Sequence, residues 1–122
     1  MLTANRIEEQ SEPKKIQYLG DGSFYYNYDI TPIIKTINNG ETEEEQQAYS
    51  FIQVRLYGSP NYDALVKAII RAYVDQDQEF DFINSASRIT LGLSTDETAL
   101  NDYKEYLELV STIKEKVKAD LS

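Results

Sequence analysis

The side chains available for chemistry are carboxylates, lysines, serines and tyrosines, because the 122 residues include neither histidine nor cysteine. Imidazole bases, thiolate nucleophiles, disulfides and Cys- or His-ligated zinc are thereby removed together. No glycine loop of the phosphate-cradling type occurs either. The densest set of oxygen donors is Asp75-Gln76-Asp77-Gln78-Glu79-Phe80-Asp81, which alternates carboxylates as a calcium loop does. Counted from Asp75, however, the positions that need Gly and Glu in an EF-hand are Phe80 and Ala86. Asp75 therefore reads as a helix cap ahead of a solvated acidic face. Ser111 and Lys114 have the S-x-x-K spacing of an activated serine, but they fall in an amphipathic helical pattern and read as helix surface. The many carboxylates offer no pair placed for acid–base work on a glycosidic bond. No catalytic, cofactor-binding or metal-ligating residue is assigned, and no cofactor is expected.

Two features point to contacts rather than reactions. The acidic run at residues 41–45, Glu-Thr-Glu-Glu-Glu, follows the turn signal Asn38-Asn39-Gly40 and reads as a mobile loop. The ten tyrosines are the other. Tyrosine gives large contact area at low entropic cost and is enriched at interfaces. Tyr25, Tyr26, Tyr28, Tyr49, Phe51 and Tyr57 lie on strand-like segments, and a small sheet covered on one side would leave some of them in water. These six are the expected interface, through self-association or another chain.

The formal charge of −9, with Lys and Arg scattered, repels a phosphate backbone, so nucleic acid is not an expected partner. No apolar run approaches the roughly 18–20 residues that cross a bilayer, and no membrane partner is expected. Apolar residues make up 41% of the chain, enough for a modest core.

The elements that position these residues follow from periodicity. Residues 1–13 are polar and read as a flexible N-terminal arm, leaving residues 14–122 as a single α+β domain. A first strand over residues 15–19 turns through Gly20-Asp21-Gly22-Ser23 into a second, in which Phe24, Tyr26, Tyr28 and Ile30 alternate with polar neighbours until Thr31-Pro32. A third strand over residues 48–57 places Ile52, Val54 and Leu56 on one face. Gly58-Ser59-Pro60 then supplies a turn, an N-cap and a first helical residue. The next helix carries an apolar stripe through Leu65, Ile69 and Tyr73 that is expected to cover the sheet. Asp75 caps a second, shorter helix whose Phe80, Ile83 and Asn84 are expected to point back toward the first, residues 88–93 form a connector broken by Gly92, and Ser94 with Glu97 forms a capping box for a last helix ending near Lys118. The expected fold is α+β, a small antiparallel sheet of about three strands packed against two to three C-terminal helices.

The order of FYYNYDI, YSFIQVRLYGSPNYDALVKAIIRA and the closing Tyr- and Lys-rich helix DYKEYLELVSTIKEKVKADL resembles small uncharacterised proteins of gut Bacteroides-type phages and prophages, over residues 24–118. The resemblance implies a gene of the virion or tail region and a non-enzymatic structural, adaptor or assembly role. It also implies other virion or tail proteins as partners, synthesis in the host cytoplasm and a place in the virion. It brings no catalytic or binding residue. The alternative is a small carboxylate-dependent enzyme or regulatory protein, which the absence of a positioned acid–base pair disfavours.

Overall fold

The computed structural model describes residues 2–40 and 42–122. Met1, in the expected arm, and Glu41, in the expected acidic loop, lie outside the described residues. The fold is α+β: a four-stranded antiparallel sheet followed by three helices. It divides into two compact units, residues 5–61, which hold the sheet, and residues 2–4 with 62–122, which hold the helices.

The sheet comprises β1 (Ile7–Glu9), β2 (Ile16–Tyr18), β3 (Ser23–Asn39) and β4 (Thr42–Tyr57), in the spatial order β1-β4-β3-β2. Strands β2, β3 and β4 form a meander, and β1 returns to lie beside β4, which is a Greek-key order. The turn from β2 to β3 uses Gly20 and Gly22, both at positive φ, and Asp21 accepts hydrogen bonds from the backbone N–H and the hydroxyl of Ser23. Asp21 also pairs with Arg55 of β4 at 2.8 Å, so the turn is tied to the far strand. Those bonds, led by the Ser23 hydroxyl, hold the Asp21 carboxyl below its ordinary value.

The pairing of β3 with β4 sets Phe24, Tyr26 and Tyr28 against Leu56, Val54 and Ile52, so these six share one face. Phe24, Tyr26, Tyr28 and Ile52 are buried, which follows from their period-two spacing. On the opposite face stand Ser23, Asn27, Gln53 and Arg55. Asn27 is fully buried, and its amide is satisfied by donating to the Lys14 carbonyl at 2.7 Å and accepting from Gln53 at 3.0 Å.

Two expectations are corrected here. The arm over residues 1–13 contains β1, whose Ile7, Glu8 and Glu9 pair with Phe51, Ser50 and Tyr49. The mobile loop expected between residues 33 and 47, around the acidic run, is instead a continuation of the hairpin, with β3 running on to Asn39 and β4 starting at Thr42. Between the two regions lies a β-bulge, in which Asp29 and Ile30 stand opposite the single residue Phe51. Asp29 is at φ 55, the left-handed region that Asp tolerates better than most residues. Arg6, immediately before β1, fills this irregularity. Its guanidinium donates to the Asp29 carbonyl at 2.6 Å, the Asp29 carboxylate at 3.1 Å, the Ser50 carbonyl at 3.0 Å and the Ser50 hydroxyl at 2.7 Å.

The helices are α1 (Tyr62–Tyr73), α2 (Gln76–Thr90) and α3 (Glu97–Asp120), and α3 packs against both others. Leu65, Ile69, Ile113 and Val117 are fully buried. Asp75 caps α2 as expected, in a reciprocal capping box with Gln78. The other two helix starts lie further along the chain than expected. Ser59 and Pro60 precede α1, which begins at Tyr62. Asp96 rather than Ser94 caps α3, accepting from the N–H groups of Thr98 and Ala99. Helix α2 runs through Arg88 to Thr90 and stops in a Schellman motif. Gly92, at φ 74, donates to Ile89, and Leu93 donates to Arg88.

Arg6→Ala is expected to lower stability by about 2–3 kcal/mol, because several charge-assisted bonds are lost and Ser50 is largely buried. Hydrogen exchange should then accelerate at residues 7–9 and 49–51 before it does in residues 23–28. Unchanged protection at β1 would contradict this role for Arg6.

Candidate functional site

The bulge divides the hairpin into two regions with different surroundings. Below it, β2 flanks β3 at Phe24, Tyr25 and Tyr26, and at the bulge and the two pairs after it β1 flanks β4 at Phe51, Ser50 and Tyr49. Further out, residues 33–39 and 42–48 pair only with each other among the described residues. A two-stranded ribbon is marginal in water by itself, so this length of open edge is a feature that a partner strand or surface would stabilise.

The extra residue in β3 resets which side chains share a face. Pro32, Ile34 and Thr36 stand with Tyr49, Gln47 and Glu45, whereas Ile33, Lys35 and Ile37 stand with Ala48, Gln46 and Glu44. Ile34 is 71% exposed. Pro32, Ile33, Ile34, Glu45 and Gln47 line a shallow hollow of about 740 Å³. Lys35 reaches across to pair with Glu8 of β1. Glu43, Glu44 and Glu45 are exposed and have no ion-pair partner among the described residues. The ribbon therefore presents isoleucines on one strand and unneutralised carboxylates on the other. Proline and charge on its edges also discourage indiscriminate strand pairing.

The six expected interface residues separate by burial. Tyr26, Tyr28 and Phe51 are core residues and offer no surface. Tyr26 and Tyr28 follow Phe24 on the apolar face, with their rings edge to face at 6.1 Å, and Phe51 is buried opposite the bulge. Tyr25 and Tyr49 are partly exposed, and only Tyr57 stands open, at 73%. Arg55 lies over the Tyr57 ring at 5.5 Å. Sequence periodicity passed over Tyr18, 70% exposed, and Ile34. The apolar pair Ile33-Ile34 after Thr31-Pro32 was the available signal for the second.

Among the described residues no three carboxylates converge as a metal cage requires. An electrostatic network in the helical unit joins its three helices: Glu79 of α2 accepts from Arg71 of α1 at 2.9 Å and from the Tyr106 hydroxyl of α3. Arg71 first and Tyr106 second hold the Glu79 carboxyl below its ordinary value. Burial first, then the bond to Glu79, pushes Tyr106 up to about 12. Tyr106 also stacks on Phe82 at 5.4 Å. A general acid needs a proton to give near neutrality, and Glu79 is shifted the opposite way. Its role is structural.

Among the described residues no helix is long and apolar enough to cross a membrane. No protein-family model, curated protein or solved structure matches the chain.

Glu79→Gln is expected to cost about 1.5–3 kcal/mol near neutral pH, since it weakens two bonds to an ionised acceptor. Because the Glu79 carboxyl is depressed on folding, the stabilisation is present above the unfolded glutamate pKa of 4.5 and is lost as pH falls through the lower folded value. Denaturant titrations should show the gap between wild type and variant closing on acidification. A gap that stays constant from neutral to strongly acid pH would remove Glu79 from this account.

Proposed function

We propose that this chain is a non-enzymatic structural, adaptor or assembly protein of a phage or prophage particle, acting through protein–protein contacts. The observation that supports a contact role is the ribbon beyond the bulge: among the described residues it is open on both edges, with Ile34 in solvent and three carboxylates without an ion-pair partner. Exposed apolar groups beside unpaired strand edges are a costly surface for a molecule that binds nothing. The phage and virion part of the reading rests on the resemblance of residues 24–118 to phage and prophage proteins.

The role assigned to the ribbon is recognition, with the clamped base as its support. Sites held by rigid elements bind with less loss of conformational freedom than free loops do. Arg6, Asp29 and Ser50 hold the base of the ribbon, so its direction of exit is defined before any partner arrives. On this reading Ile34 and its hollow supply apolar contact, and the glutamates select a partner that carries positive charge.

Recovery of the tagged chain from prophage-induced cells is expected to bring down tail or capsid proteins in fixed stoichiometry. The double variant Ile34→Asp, Ile37→Asp should lose that recovery while lowering the melting temperature by only a few degrees, because Ile34 is 71% and Ile37 36% exposed. Absence of the chain from every particle and assembly intermediate would overturn the virion reading. Undiminished recovery of the double variant would overturn the assignment to the ribbon.

A further inference from the structure

Helix α2 differs from its neighbours in having no buried residue along its length. The side that faces α3 is identified by Glu79, bonded to Tyr106, and by Phe82, stacked on Tyr106. By helical periodicity the opposite side carries Phe80, Asn84, Ser87 and Leu91. Phe80 is 52% exposed and Leu91 73%, with Ile83 beside them at 43%. A helix with apolar groups on two sides and only one side packed is an incomplete assembly.

The distribution of charge along α2 says what completes it. Asp77 and Asp81 lie in its first half and Arg88 in its second, on the same shoulder of the exposed stripe. All three are exposed, and among the described residues none has an ion-pair partner. A parallel copy of the helix would set acid against acid. An antiparallel copy sets Asp81 beside Arg88 of the second copy, and two-fold symmetry makes the same pair again on the other side of the axis. That register also brings Phe80 level with the Ala86–Leu91 stretch of the second copy. There Ile83, Ala86, Ser87, Thr90, Leu91 and Tyr103 line a hollow of about 390 Å³, with small side chains at Ala86 and Ser87. Projection, recess and both signs of charge thus occur along α2 in self-complementary order, with Tyr103 of α3 closing one wall of the recess. Isologous interfaces require this order.

We propose that the chain forms a two-fold dimer through antiparallel pairing of α2 with α2 of a second copy, with Phe80 seated in the hollow beside Ser87 and Asp81 paired to Arg88. This goes beyond the recognition role of the ribbon and does not depend on it.

Sedimentation equilibrium on the full chain tests the proposal. Wild type should show a reversible monomer–dimer equilibrium at concentrations up to about a millimolar. Asp81→Arg and Arg88→Asp should each weaken it by about tenfold or more, because each creates two like-charge contacts at once. An equimolar mixture of these two variants should associate more tightly than either alone, since both contacts are restored in the mixed dimer. Far-ultraviolet circular dichroism should show both variants folded, as the positions are exposed. A monomeric wild type across this range, single reversals with unchanged association, or a mixture no tighter than its components would each overturn the proposal.

Discussion

The Arg6 guanidinium in the β-bulge is the contact on which the sheet's layout turns. A bulge breaks the ladder locally and leaves peptide groups without their usual partners. Here Arg6 donates to the Asp29 and Ser50 carbonyls, and so occupies two of the acceptors at the irregularity while also pairing with the Asp29 carboxylate. Arginine suits this place because its planar fork offers several donors in fixed directions, which a lysine ammonium on a flexible stem does not. The same contact delivers β1 to the edge of β4, since Arg6 directly precedes Ile7. One side chain thus holds the bulge and closes the Greek-key order.

The bulge matters because side-chain alternation is strict. Without the additional residue, Pro32 and Ile34 would continue the face that carries Phe24, Tyr26 and Tyr28. With it, Ile33 and Lys35 take that face, and Lys35 can reach Glu8 on β1. A cation at the start of the ribbon is thereby neutralised from the neighbouring strand, whereas the carboxylates further along β4 are left to solvent. The choice of which side chains face each way along the ribbon follows from a single inserted residue. It requires no unusual composition in either strand.

What could be read from the sequence was what is encoded locally. Asp75 was recognisable as a cap because its partner, Gln78, is three residues away, and Gly92 as a stop because only glycine takes its backbone conformation freely. Strand faces at residues 24–28 and 52–56 followed from alternation alone. Positions with two adjacent polar candidates were less secure. Ser94 and Asp96 both suit an N-cap, and the choice fell to Asp96, whose carboxylate reaches both Thr98 and Ala99. The bulge was not legible. Its signal is an aspartate that resembles any other in a strand, and its support comes from Arg6, twenty-three residues away in the chain. The ribbon was missed with it, because a proline and a run of glutamates describe a solvated strand as well as they describe a loop.

The tyrosines show why composition alone misplaces an interaction surface. Tyrosine is favoured in strands for its fit to a pleated surface and at interfaces for its contact area, so its abundance does not separate core from contact. Tyr26 and Tyr28 serve packing, Tyr106 serves a buried hydrogen bond, and Tyr57 and Tyr18 face water. The distinguishing variable is register relative to the bulge and to the apolar face, a property of pairing rather than of residue type. Exposed groups such as Ile34 and Phe80 carry more information about partners than any of the buried aromatics. Burial already explains a core tyrosine, whereas Ile34 and Phe80, left in solvent, are the groups on which the proposed contacts rest.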